Sequence, residues 1–297
     1  MYFVPTRSFF GNFYSYTGFG WSFWFATRRE AQADGFFKTT EPQLTRTMAH
    51  VVITGCNSGI GLELCRQLTA RGDVVYAACR NSSPELEAVG VKGGVVTGVD
   101  VCTDAGCETL RAYLAERSVR VDVLVNNAGG LGAAPGHTWD EQVAQQTFGA
   151  NLDVGAMSRA FEVNVVGVVR VSKALESSVK APGGKIAIIS SLMGSCGDNG
   201  SGGFLQYRVS KAAVNMAGVT MACDLKEKGI AVGLIHPGML QTNFGNLRQA
   251  PKSKQKYFRP VEPGVAGVVQ AIDALTMETT GSFIHGNYGN GLKPCPW

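Results

Sequence analysis

His50–Gly61 reads HVVITGCNSGIG. Val51, Val52 and Ile53 form an apolar run without polar alternation, as in a strand buried on both faces. Gly55 breaks it. The following GIGLELCRQLTARG carries apolar residues at helical spacing and closes on Gly72. The junction Thr54-Gly55-Cys56-Asn57-Ser58-Gly59-Ile60-Gly61 is therefore a glycine-rich turn from strand into helix. Gly55 permits the sharp turn, Gly59 lets main chain approach a pyrophosphate, and Gly61 lets the helix pack on the strand. The helix start then offers free N–H groups and positive potential to phosphates. The competing reading is a tight turn in which Asn57 or Ser58 merely caps the helix. What lies around the turn has to separate the two.

Working outward, the same alternation repeats. Strands are expected in DVVYAACR, GGVVTGVDV, VDVLVNNAG, GGKIAIISS and IAVGLIHPG, with a short last one near 282–286. Helices are expected in DAGCETLRAYLAER, over 158–180, over 206–229 and near 262–277. Strands apolar at nearly every position, separated by helices, predict a parallel sheet covered on both faces. The expectation is an α/β fold: one doubly wound Rossmann domain over residues 48–297, with about seven strands. The stretch 130–155 reads as a surface loop plus a short helix. Residues 243–260 (NFGNLRQAPKSKQKYFRP) read as a lid.

Composition removes several function classes. The net charge of +4 in 297 residues leaves no basic stripe for nucleic acid. The eight cysteines include no CxxC pair and no zinc spacing, so they read as reduced thiols in a cytoplasmic protein. Cys102 and Cys107 read either as a redox pair or as small buried hydrophobes. His50, His137, His236 and His285 are too dispersed for a metal set, and no nucleophile elbow is present.

Residues 1–47 differ in kind. Twelve aromatics fall in the first 25 residues, and no acid precedes Glu30. Polar residues and glycines interrupt the aromatics, so no run of about 18 apolar residues exists for a membrane span. The segment reads as an organelle-targeting peptide, as a stretch ahead of a fold that begins at Met48, or as an interfacial anchor. It is set apart from the fold.

The end of the second strand separates the nicotinamide cofactors. An acid there would hydrogen-bond a ribose 2′-hydroxyl, whereas an Arg accommodates a 2′-phosphate. Ala77–Ser83 (AACRNSS) contains Arg80 and no acid, which favours NADP(H) over NAD(H). Arg80 reads equally as a solvated residue leaving a strand. Asp100, closing the third strand, would face the adenine amino group or simply open a loop.

Six motifs then occur in order: TGCNSGIG, NNAG at 126–129, Asn164 in VNVVG, ISSLMG at 189–194, YRVSK at 207–211 and HPGMLQT at 236–242. Together they resemble the short-chain dehydrogenase/reductase family over about residues 50–297. The stretch from Gly184 to Met216 and the terminal GLKPCPW are similar to its C-factor/sniffer-like carbonyl reductase branch. The resemblance implies an NAD(P)(H)-dependent oxidoreductase with a Ser–Tyr–Lys–Asn site. Asn126, Ala128 and Gly129 resemble the family's cofactor-lining turn. Pro237, Gly238 and Thr242 resemble the loop that meets the nicotinamide carboxamide.

The chemistry can also be rebuilt from the residues. Hydride transfer to a carbonyl leaves an alkoxide that needs a proton, and Tyr207 can supply one. An ordinary phenol titrates near 10, too high for neutral pH, so Lys211 one helical turn on is expected to lower it. The same ammonium can hold the nicotinamide ribose hydroxyls. Ser191 is expected to hydrogen-bond the carbonyl oxygen; it is chosen over Ser190 because the family's pattern uses the second serine. Alternation along a strand lets only one of the two face the site. Asn164 resembles the family's water-holding residue that feeds protons to the Lys. The loop between Ser191 and Tyr207 is a few residues longer than usual in the family and reads as part of the substrate mouth.

The expected activity is reduction of a carbonyl, or oxidation of the matching alcohol, on a small-molecule substrate. The alternative is a cofactor-binding signalling protein of C-factor type with little turnover. The long helices offer faces for pairing in a homodimer or homotetramer, which the sequence does not rank.

Overall fold

Strand β1, His50–Thr54, lies at the middle of an eight-stranded sheet of order β3-β2-β1-β4-β5-β6-β7-β8. The computed structural model describes residues 48–132, 138–245, 250–286 and 291–297. The N-terminal segment 1–47, His137 and part of the expected lid lie outside the described residues. The other strands are β2 (Val74–Ala78), β3 (Val95–Val96), β4 (Val123–Asn126), β5 (Lys185–Ile189), β6 (Ala231–His236), β7 (Phe283–His285) and β8 (Lys293–Pro294). The helices are α1 (Gly59–Ala70), α2 (Pro84–Glu87), α3 (Asp104–Glu116), α4 (Trp139–Gln145), α5 (Gly155–Phe161), α6 (Gly167–Leu175), α7 (Leu205–Asp224), α8 (Lys252–Gln255) and α9 (Val261–Asp273). A π-helical turn, Glu162–Val166, joins α5 to α6.

Seven strands run parallel, as their apolar runs require, with Val51 opposite Val123 and Leu124 opposite Ile186. Alternation divides the side chains between two faces. Val52, Leu124, Ile186, Ile188 and Leu234 pack on Leu110 and Leu114 of α3, Val171 and Leu175 of α6, and Val214 of α7. On the opposite face α1 and α9 pack together, and Gly233 of β6 lies against Leu275 just past α9. Burying each such Leu or Ile stabilises the domain by about 1.5–3 kcal/mol.

Two expectations need correction. The expected third strand, 93–101, shrinks to Val95–Val96, because Gly94 and Gly98 hold φ of +91° and +75°, which a strand cannot carry. The sheet also gains an antiparallel edge: β8 pairs with β7, Ile284 opposite Pro294. Pro294 lacks an N–H, so it suits the edge strand of the described sheet. Among the described residues no helix is long and apolar enough to cross a membrane.

Strand order reverses between β1 and β4. The crevice outside the carboxyl ends of the strands at such a switch point is where doubly wound sheets bind ligands.

Candidate active site

A cleft of about 1190 Å³ opens at that switch point. The β1–α1 turn forms its floor at one end. Gly55 adopts φ +71°, and a Cβ there would stand 2.9 Å from Ala128 Cα. A Cβ on Gly61 would lie 2.2 Å from the Gly55 carbonyl oxygen and 2.5 Å from Asn127 Nδ2. The turn is thus bare because its neighbours leave no room for side chains. Ser58 occupies the N-cap position of α1, but its hydroxyl caps nothing, and the first turn holds no acid. The capping role open to Ser58 on sequence grounds is not exercised, and the helix start remains available to an anion.

Asn57, Ser58, Gly59, Ile60, Arg80, Asp100, Ala128, Gly129, Pro237, Gly238 and Thr242 all line this cleft, as expected. Arg80 stands exposed beyond the end of β2. Asp100 turns its carboxylate onto the Cys102 N–H at 2.9 Å, so it organises its own loop. Thr242 accepts from the Phe244 N–H at 3.3 Å, and its methyl lies within 3.5 Å of where a Gly59 Cβ would be.

Thr54, Gly61, Asn126 and Asn164 stand behind the wall of the cleft and do not line it. Thr54 is buried, and its hydroxyl accepts from the N–H groups of Asn127 and Ala128, both at 3.1 Å. Asn126 is buried and donates to Ser172 Oγ at 3.0 Å on α6. Asn127, outside the residues the sequence points to, lines the cleft instead and donates to the carbonyls of Thr54 and Gly55 at 2.9 and 3.1 Å. These residues position the main chain that faces the cleft. Sequence could not separate the two asparagines, because both follow the same apolar run.

The adjacent serines separate cleanly. Ser190 donates to Asn215 Oδ1 on α7. Ser191 accepts from Met193 N–H at 3.1 Å and interacts with the Tyr207 phenol. Tyr207 and Lys211 follow on the first turns of α7. Lys211 is buried; its ammonium sits 5.6 Å from the Tyr207 ring centre and donates to the Ile189 carbonyl at 2.9 Å. Asn164 is fully buried within the π-helical turn, where it bonds both main-chain groups of Gly130 and donates to Ser210 Oγ at 2.9 Å. A Cβ on Gly129 would meet Asn164 Oδ1 at 2.9 Å and Lys211 Nζ at 3.8 Å, so this residue lies between them.

One electrostatic expectation fails. Burial pushes the Tyr207 phenol up to about 12, and its interaction with Ser191 pulls weakly the other way. Lys211 contributes no lowering that offsets this, and burial brings the lysine itself down to about 8. At neutral pH the site therefore holds a protonated phenol beside an ammonium that solvates poorly. His236, also in the wall, is held neutral: burial first, then His285, lowers it to about 3. Its Nδ1 has no partner among the described residues.

Beyond Tyr207 the cleft is aromatic. Trp139, Phe204, Phe244, Tyr257 and Phe258 line it. They lie in loops or at helix ends, where no periodicity announces a role. Cys102 borders the opposite end, and burial raises its thiol to about 11, against the redox reading. Among the described residues no three His, Cys, Asp or Glu side chains gather to hold a metal.

A family model described as short chain dehydrogenase matches residues 49–252. A 1-hydroxy-2-glutathionyl-2-methyl-3-butene dehydrogenase of Rhodococcus sp. (strain AD45) is 37% identical over 238 residues, 80% of this chain and 96% of that protein. The C-signal of Myxococcus xanthus is 36% identical over 166 residues, 55% of this chain and 87% of that protein. The crystal structure of a carbonyl reductase from Pseudomonas aeruginosa PAO1 in complex with NADP superposes with a TM-score of 0.68 at 27% identity, covering 84% of this chain and all of that one.

Proposed function

The chain belongs to the short-chain dehydrogenase/reductase family, and we propose that it reduces a carbonyl with NADPH, or oxidises the matching alcohol, using Tyr207 as general acid and base. Membership makes it an oxidoreductase that works with a nicotinamide cofactor. Its own residues fit such a group. The turn at Gly55–Gly61 has no room for side chains at Gly55 and Gly61, Ser58 leaves the start of α1 uncapped, and the buried Nδ1 of His236 has no partner among the described residues.

In this reading Asn57, Ser58, Gly59 and Ile60 hold the pyrophosphate, with Thr54 and Gly61 shaping their turn. Arg80 takes a 2′-phosphate, with no acid in Ala77–Ser83 to repel it. Asp100 meets the adenine, Ala128 and Gly129 back the ribose, and Pro237, Gly238 and Thr242 meet the carboxamide. The bound nicotinamide supplies or takes up the hydride.

The observation that carries the proposal is the convergence of Ser191, Tyr207 and Lys211 on one cleft. Ser191 holds the carbonyl oxygen by hydrogen bonding. Tyr207, raised to about 12, keeps its proton at neutral pH and delivers it to that oxygen as negative charge develops there. Lys211 fixes the ribose hydroxyls and offers positive charge to the emptied phenol. Asn164 acts through the Gly130 main chain and Ser210, holding the floor beneath Lys211.

NADPH oxidation measured with a carbonyl panel tests this. Tyr207→Phe is expected to lower turnover roughly 10²–10⁴-fold with NADPH affinity retained. Undiminished turnover in that variant overturns the role of Tyr207. Cofactor binding without turnover by the wild-type protein would instead support a C-factor-like signalling role.

A further inference from the structure

Phe204 has a left-handed backbone, φ +52° and ψ +39°, immediately before α7. Glycine and asparagine take this conformation readily; a bulky aromatic residue takes it only where its surroundings impose it. Here the surroundings can be named. Arg208 donates from Nε to the Gly203 carbonyl at 2.9 Å, and from Nη2 to the Gly202 carbonyl at 3.1 Å and to Ser201 Oγ at 2.9 Å. The Arg208 N–H also donates to the Phe204 carbonyl at 2.9 Å, closing the first turn of the helix that carries Tyr207. On the other side, the Leu205 N–H donates to the Gln146 carbonyl at 2.7 Å. The ring that this backbone aims lies in the cleft, 5.9 Å from Trp139 and tilted by 52°.

We infer that Phe204 determines substrate specificity, that Arg208 is its positioning residue, and that the cleft selects uncharged carbonyl compounds bearing an aromatic or alicyclic ring. The inference rests on the reading of the site as a carbonyl reductase and names its substrate class. Two aromatic pairs frame the mouth, Trp139 with Phe204 and Tyr207 with Phe244, the latter 5.6 Å apart. Ring contacts at such separations favour offset or edge-on packing of a third ring. Among the described residues a charged tail finds little to hold it. The Arg208 guanidinium is engaged with the loop, and Asp198, exposed at the rim, would repel an anion.

The test uses variants that keep the backbone while removing the ring. Phe204→Gly and Phe204→Asn both tolerate the left-handed conformation; Phe204→Tyr keeps ring and shape. For each, kcat/KM with NADPH is measured for benzaldehyde and cyclohexanecarbaldehyde against hexanal. Calorimetric binding of benzyl alcohol to the NADPH complex gives a readout independent of turnover. The ring-over-chain preference is expected to fall roughly tenfold in Phe204→Gly and Phe204→Asn, chiefly through KM, and to survive in Phe204→Tyr. Benzyl alcohol binding should weaken in parallel. Arg208→Met should lower the same ratio with Phe204 intact, which a purely structural role would not do. An unchanged ratio in both ring-deleted variants overturns the inference while leaving carbonyl reduction standing. Absence of turnover with every carbonyl in the wild-type protein overturns the underlying reading and this one with it.

Discussion

Asn164 closes a two-way bond with the main chain of Gly130: it accepts the N–H at 2.9 Å and donates to the carbonyl at 2.7 Å. Its amide also reaches Ser210 Oγ, so one fully buried side chain ties the loop after β4 to the helix of Tyr207 and Lys211. The π-helical turn supplies the placement, since an extra residue per turn rotates Asn164 toward the loop. Asn164→Ala leaves the half-buried main chain of Gly130 and the buried Ser210 hydroxyl without this partner. It is expected to destabilise the protein by about 1–3 kcal/mol in urea unfolding and to lower kcat/KM. Asn164→Asp should not rescue it, because a carboxylate has no N–H for the Gly130 carbonyl.

Lys211 sets function against stability. Its ammonium falls from 10.5 to about 8 on burial, a difference of about 3 kcal/mol between folded and unfolded chains. Below pH 8 both states hold the proton and the folded state bears the full cost. Between about 8 and 10.5 only the unfolded state holds it, so the cost fades and stability rises with pH. Lys211→Met is therefore expected to be inactive yet more stable at pH 7, by about 1–2 kcal/mol after loss of the Ile189 bond. The gain should vanish toward pH 10.5, which melting curves across that range would read. In the wild-type protein kcat/KM for NADPH should decline as pH rises through about 8, because the ammonium proposed to hold the ribose is lost. A profile flat to pH 10 would remove Lys211 from that role.

Two glycines in one turn should respond differently to the same methyl group. Gly61→Ala drives a Cβ to 2.2 Å from the Gly55 carbonyl, main chain that cannot step aside. We expect a loss of several kcal/mol or no folded protein. Gly59→Ala meets nothing closer than 3.5 Å, and its cost is the left-handed backbone at φ +56°, about 1–2 kcal/mol. Thermal unfolding of the pair, with NADPH affinity for the survivor, checks the contrast.

Arg80 should decide between the two nicotinamide cofactors. Arg80→Glu replaces the proposed partner of a 2′-phosphate by a repelling charge, and NADPH affinity is expected to fall roughly 10–100-fold. NADH, which lacks that phosphate, should bind no worse. Equal losses for both cofactors would place Arg80 elsewhere.

Local chemistry alone determined that this chain builds a doubly wound sheet. The run Val51–Ile53, the bare turn at Gly55–Gly61 and the repeated switch from strand to helical spacing need only neighbouring residues to be read. Tyr207 and Lys211 were legible for the same reason, since four positions on one helix share a face whatever packs outside. Tertiary structure decided what depends on distant partners. It sent Asn126 to Ser172 and brought Asn127 to the cleft, gave Thr54 two main-chain donors from the turn after β4, and turned Ser190 onto Asn215. It also set the proton affinities of Tyr207 and Lys211, which follow from burial rather than from the spacing between them. The loops before Tyr207 and after Thr242 were legible as mouth and lid, but the aromatic pairing was not, because Trp139, Phe204 and Phe244 come from separate segments that only the folded chain puts in one cleft.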